Sequence, residues 1–258
     1  MNKKTKKFTE HYTTKRASQK ELKNRQEIIN QFIKTPVPNN EILENLGLYL
    51  TTKNFSRMLF FYEIYKKIKD TEGVIMEFGL RWGQNLALLI AIRGMLEPYN
   101  IKRKIIGFDT FEGFLNEEKI DDGQYKKGTL SLPKNYKVYL DKLLSKLEKE
   151  NPVSHVKKYN VIKGDASITL KDYLKKSTET IVSFAFFDMD IYEPTKNCIK
   201  LLKPHLTKGS ILAFDELNCD MARGITPALR EVFNLNKIKI KRFPHISRIS
   251  YFELEDLE

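Results

Sequence analysis

Cysteine is scarce in this chain: among 258 residues there are two, Cys198 and Cys219. They stand 21 positions apart with no partner at metal-ligand spacing, which excludes a disulfide framework and the usual zinc patterns and makes a reducing cytoplasm the expected setting. Long apolar runs are missing as well. LALLIAI, from Leu86 to Ile92, is bracketed by Asn85 and Arg93 and falls far short of the roughly 20 residues that a membrane span needs. The opening residues MNKKTKKFTEHY contain charge but no apolar segment of the kind a secretory leader requires. No span and no export are therefore expected, and no internal repeat or low-complexity core segment is visible. What the chain does have is enough apolar and aromatic residues, 41% and 11%, for one large α/β core with an appendage. Its formal charge of +12 is uneven, since the first 25 residues hold nine Lys or Arg against two Glu. Residues 1–18 read as a flexible basic tail. Such a tail can attract an acidic partner or surface, but few aromatics interleave its charges and no binding module accompanies it, so nucleic acid is not the expected partner.

Two helices are predicted ahead of the core, in an N-terminal helical extension spanning 19–71. The first runs from Lys20 to about Thr35, with Leu22, Ile28, Ile29 and Phe32 near one face and Pro36 and Pro38 beyond its end. The second, Asn54 to Lys69, carries a broad apolar stripe of Phe55, Met58, Leu59, Tyr62, Ile64 and Tyr65, suited to packing on the core or on another copy in a symmetric oligomer. From Glu72 onward short apolar runs alternate with helical stretches, the sequence form of a parallel sheet with crossover helices. Strands are predicted at about 73–79, 104–109, 160–164, 181–188, 209–215, 237–243 and 248–254, with helices beginning near Gln84, Tyr136, Leu170, Pro194 and Thr226. Only PHIS separates the last two strands, too little for a helix, so they are predicted to form an antiparallel hairpin. The expectation is a Rossmann-like α/β domain over 72–258 with a mostly parallel seven-stranded sheet. Its long, charged, glycine-containing segment at about 112–135 follows the second strand and is read as a lid over the carboxyl edge of the sheet.

Candidate ligand-binding residues sit at the predicted strand ends. In VIMEFGLRWGQN, Glu77, Gly79 and Gly83 fall at a strand-to-helix turn where backbone can approach a ligand. This segment resembles the first motif of methyltransferases; it is not the dinucleotide fingerprint, because Arg81 stands where that pattern has glycine. Arg81 is a candidate partner for a methionine carboxylate. Asp109, ending IIGFD, can accept ribose hydroxyls, or can cap the next turn. In VIKGDAS, Asp165 can accept an adenine amino group with Ser167 in support. In this order these residues point to S-adenosylmethionine.

The fourth predicted strand ends FFDMD, placing Asp188 and Asp190 at i and i+2, on the same face of an extended chain. The fifth ends in Asp215 and Glu216. Four carboxylates are thus expected to converge with no basic residue between them, and crowded like charges require protonation or a bound cation. A hard divalent ion such as magnesium suits all-oxygen ligands.

EFGLRWGQN, GFDTFEGF, FFDMDIYEPT and FDELN together make the chain, from about Gly73 to Phe252, resemble the macrocin O-methyltransferase family, class I methyltransferases acting on sugar hydroxyls of antibiotics and bacterial surface polysaccharides. The resemblance implies magnesium at Asp188, Asp215 and Glu216, and Asp190 as the base; this chain has Asp-Glu where the family has Asp-Asp. It also implies a sugar substrate, here expected to be nucleotide-linked. His155, His205 and His245 lie outside the strand-end motifs and are expected to be structural or surface residues. Two other readings remain open on sequence: a metal-dependent catechol-type O-methyltransferase, with a flatter aromatic pocket, and an RNA methyltransferase or nucleic-acid-binding protein.

Overall fold

The computed structural model describes residues 17–116, 119–121 and 126–255, so the basic tail lies almost wholly outside the described residues, as do parts of the expected lid. By contacts the chain divides into two units, Met1–Ser56 and Arg57–Glu258. In the first, α1 (Gln19–Ile33) begins at Ser18 in a reciprocal cap with Glu21: the Ser18 hydroxyl accepts from the Glu21 N–H at 3.3 Å and the Glu21 carboxylate accepts from the Ser18 N–H at 2.7 Å, satisfying two otherwise orphaned donors. No residue of α1 is buried. In its last turn Phe32 meets the Tyr49 ring edge-on at 4.9 Å.

α2 (Thr52–Ile68) crosses the division. From Phe60 onward its residues Phe60, Phe61, Ile64, Tyr65 and Ile68 are fully buried in the larger unit. The helical extension expected to reach residue 71 therefore contributes most of this helix to the larger unit itself.

The core strands are β1 (Val74–Phe78), β2 (Ile105–Asp109), β3 (Tyr159–Lys163), β4 (Val182–Phe187), β5 (Leu206–Asp215), β6 (Lys241–Phe243) and β7 (Ile246–Glu253). They form one sheet in the order β3-β2-β1-β4-β5-β7-β6. The first five are parallel, and β7 joins β5 and β6 antiparallel, as the motif pattern led us to expect of a class I methyltransferase. β1 and β4 are buried along their whole length, which is why they read as continuous apolar runs rather than alternations.

Both faces are covered. Together with α2, α3 (Gln84–Leu96) and α4 (Tyr136–Lys149) pack on one face, against Ile75, Phe184, Phe186 and Ala213. On the other, α5 (Ala166–Lys176), α6 (Tyr192–Leu202) and α7 (Ile225–Val232) cover Met76, Phe78, Phe187 and Phe214. That second face carries a row of stacked rings. Phe108–Phe78, Phe78–Phe187, Phe187–Phe214 and Phe214–Phe252 have centroids 5.0, 4.9, 4.8 and 6.3 Å apart and planes within 13° of parallel. Each of Phe78, Phe108, Phe187 and Phe214 directly precedes a residue at the carboxyl edge. Among the described residues no helix is long and apolar enough to cross a membrane, and both cysteines are free.

Candidate active site

The carboxyl ends of β1, β2, β4 and β5 lie side by side, and each continues into a turn with a left-handed residue other than glycine. Arg81, Phe111, Asp190 and Glu216 have φ of 48°, 56°, 63° and 70°. Such conformations cost about 1–3 kcal/mol each and persist where the surroundings fix them, commonly at functional sites. β4 stops at Phe187, so Asp190 is not on an extended strand with Asp188 as predicted; a left-handed turn re-aims it.

Gly79 and Gly83 are demanded by packing. A Cβ on Gly79 would collide with the Asp188 carbonyl oxygen, and one on Gly83 would meet the Leu140 side chain at 2.7 Å. Their close approach is thus to this chain's own β4 turn and α4. Beneath the turn Glu77 is fully buried: its Oε1 accepts from Asn85 Nδ2 at 2.7 Å, and its Oε2 has no hydrogen-bond partner among the described residues. Burial, opposed by the Asn85 hydrogen bond and reinforced by Asp188, pushes its carboxyl up to about 8. Arg81, half-buried, feels Asp188 and Asp190 electrostatically, and its Nε is buried without a partner.

Asp109 ties two turns together. Its Oδ2 accepts from the Arg81 N–H at 2.8 Å and its Oδ1 from the Phe111 N–H at 2.6 Å, while burial raises its pKa against those bonds. Asp165 is the N-cap of α5, accepting from the Ser167 N–H at 2.8 Å. This cap starts α5 at Ala166, four residues ahead of the predicted start. In the segment expected to be a lid, Phe114 N–H donates to Thr129 O, Gly128 N–H to Phe114 O and Leu132 N–H to Phe111 O, joining two of its described stretches.

The acid centre itself departs from the predicted picture: it does contain basic residues. Arg57 of α2 donates from Nη2 to Asp188 Oδ2 at 2.7 Å and from Nη1 to Asp215 Oδ2 at 3.5 Å. Arg248 of β7 pairs with the same Asp215 oxygen at 3.1 Å and with Glu216 Oε1 at 2.6 Å. Asp215, Glu216 and Asp190 are 2%, 4% and 9% exposed, whereas the Asp188 side chain, at 23%, is the most exposed of the four acids. Burial and then the charge of Asp215 raise the Asp188 pKa; burial, then Asp188, Glu216 and Asp215, raise that of Asp190 more strongly.

Among the described residues no group of three or more His, Cys, Asp or Glu side chains is arranged for a metal as the centre stands. Its donor chemistry nevertheless suits a hard cation. Four carboxyl groups face two paired guanidiniums, and Asp215 Oδ1 is buried with no hydrogen-bond partner among the described residues, an arrangement that is costly unless something binds there.

His155 and His245 are exposed, and His205 contacts Thr180 O at 3.0 Å before β5. Arg57 and Arg248 went unpredicted. Neither has a local signal: Arg57 lies inside an amphipathic helix, and Arg248 reaches the acids only because β7 runs antiparallel to β5, with Ile249 opposite Asp215.

Over 93% of its length this chain is 34% identical to CalS11, a calicheamicin methyltransferase, covering 95% of that chain with a TM-score of 0.90. An apo structure of CalS11, described as a TDP-rhamnose 3'-O-methyltransferase of calicheamicin biosynthesis, matches at 33% identity over 93% of this chain and 96% of that one, TM-score 0.83. The chain belongs to the class I sugar O-methyltransferases. That is the family its motifs led us to expect, and the enzyme is an S-adenosylmethionine-dependent O-methyltransferase. The O-methyltransferase NovP, at 14% identity, TM-score 0.60 and coverage of 78% and 80% of the two chains, shares the methyltransferase's fold. Searches of family models and of curated proteins give no match.

Proposed function

We propose that this methyltransferase acts on a hydroxyl of a nucleotide-activated sugar, in antibiotic or surface-polysaccharide biosynthesis, with Asp190 as the base and a divalent cation held by Asp188, Asp215 and Glu216. The observation that carries this reading is the meeting of Asp188, Asp190, Asp215 and Glu216 at two adjacent strand ends, in a chain 34% identical to a sugar methyltransferase. The cofactor's amino-acid end is a zwitterion. Glu77 Oε2 and Arg81 Nε, both buried and without partners, offer it one acceptor and one donor, for the ammonium and the carboxylate. Asp109, with acceptor capacity beyond its two backbone bonds, is assigned to the ribose. Asp165 and Ser167 are assigned to the adenine. Gly79 and Gly83 set the turn that brings these groups together.

In the reaction the acceptor hydroxyl loses its proton to an Asp190 carboxylate oxygen. The sugar oxygen then attacks the sulfonium methyl in line, so that a C–O bond forms, the C–S bond breaks with its electron pair going to sulfur, and S-adenosylhomocysteine leaves. A cation in the acid centre would supply Lewis acidity that lowers the hydroxyl pKa. Arg57 and Arg248 keep Asp215 fixed through one oxygen, and the left-handed turn of Asp190 presents the base beside Asp188.

Mass-spectrometric assay of methyl transfer to dTDP-rhamnose and other nucleotide-activated hexoses, with catechol as a comparison acceptor, tests this. Methylation of a nucleotide sugar is expected, and transfer to catechol alone would replace the reading. Chelation is expected to reduce turnover by about tenfold or more, with magnesium or manganese restoring it; full activity after exhaustive metal removal would reject the cation. Asp109→Ala is expected to weaken S-adenosylhomocysteine binding by about 1–3 kcal/mol, the range for lost hydrogen bonds at a charged acceptor, as read by titration calorimetry. Unchanged affinity would leave Asp109 only its turn-holding role.

A further inference from the structure

Arg57 lies outside every motif, yet its guanidinium is held at the acid centre with only 18% of its side chain exposed. Besides the bonds to Asp188 and Asp215 it donates from Nε to Asn85 Oδ1 at 2.9 Å, and Asn85 in turn holds Glu77. The rings of Phe186 and Phe61 lie 5.4 and 5.9 Å from its central carbon. A guanidinium cannot lose its charge in a protein, and burial of that charge is tolerated here because Asp188 and Asp215 face it. Its planar fork spans two carboxylates, which a lysine ammonium does not do in the same way.

We propose that Arg57 is a resident cation of the centre, a positioning residue that competes with a divalent ion for Asp188 and Asp215 and so keeps ion affinity low until the acceptor sugar adds its own oxygen ligands. This rests on the reading that these acids hold a cation. The hydrogen bonds of Arg57 engage Oδ2 of both acids, while Asp215 Oδ1 stays buried without a partner. One oxygen of Asp215 is therefore shared by Arg57 and Arg248, while the other is left for an ion. Two cations drawn to the same pair of carboxylates in a weakly screened interior oppose each other strongly.

The test is the affinity of the full-length enzyme for Mn2+, measured by electron paramagnetic resonance with S-adenosylhomocysteine present and no sugar. Arg57→Met removes the charge and keeps most of the bulk, and it is expected to bind Mn2+ at least about tenfold more tightly than wild type. Arg57→Lys keeps the charge and is expected to stay within about threefold of wild type. A residue that merely supported the fold would lower affinity or leave it unchanged on replacement. Equal or weaker binding by Arg57→Met, with Mn2+ binding measurable in wild type, overturns the competition and leaves the cation reading intact. Absence of Mn2+ binding in wild type and variants alike overturns both. Should Arg57→Met fail to fold, Arg57→Gln carries the same expectation and the same overturning results.

Discussion

Replacing Asp190 with asparagine is expected to lower kcat by about 100-fold or more, the usual contribution of a general base, while S-adenosylhomocysteine affinity is retained. Asparagine is the informative choice because it is nearly isosteric and tolerates left-handed backbone well, and Asp190 has φ 63°. Alanine there would mix chemistry with strain. In the free enzyme burial and the neighbouring acids hold the Asp190 carboxyl protonated well above the usual carboxylate range, so a base at this position must first ionise, and wild-type turnover should rise with pH before levelling off. Rapid-quench measurement of the chemical step across pH, beside calorimetry for the bound product, separates rate from binding. Near-normal turnover by the variant would move the base elsewhere, with exposed His245, on the β6–β7 turn, the first residue to replace.

Glu77→Gln is expected to stabilise the free enzyme by a few kcal/mol, on the order of 2–5, at pH 8 and above, and to weaken cofactor binding. The unfolded chain ionises Glu77 near the ordinary value of 4.5, whereas the folded chain keeps the proton up to about 8. Between those values the native state binds more protons. The stability that the neutral carboxyl confers is therefore full below pH 4.5 and lost progressively as pH climbs to about 8. Glutamine keeps the acceptor that Asn85 donates to and has no proton to lose, so its stability profile, by urea unfolding across pH, should be flatter. Bringing the cofactor's ammonium to Glu77 favours the ionised form, so wild type should release a proton on binding and the variant should not. Calorimetry in buffers of different ionisation enthalpy measures that proton; equal release by both proteins would separate Glu77 from the ammonium.

The sheet was legible because β1, β2, β4 and β5 are short, mostly apolar runs that lead directly into Gly79, Asp109, Asp188 and Asp215, and α3 and α4 begin where predicted, at Gln84 and Tyr136. The differences have local causes. The cap that Asp165 provides brings the start of α5 forward to Ala166, and Pro194, taken for a helix start, sits inside the first turn of α6, where proline is tolerated. KIKIKRF alternates over seven residues, but only Lys241–Phe243 pairs at this sheet edge. In the site, the acids could be read because strand ends advertise them. Arg57 and Arg248 could not, since one depends on how a helix docks and the other on an antiparallel register, and neither is written in neighbouring residues.

Because four of the five stacked phenylalanines each precede an edge residue by one position, the ring row fixes the relative height of Gly79, Asp109, Asp188 and Asp215. Variation in this enzyme should therefore be lopsided. Side chains above the row can be exchanged one at a time, altering which sugar is accepted, while the platform stays level. A smaller ring-position residue instead tilts two neighbouring strand ends at once, so selection for a new acceptor should leave the row untouched and draw its useful changes from the turns beyond it.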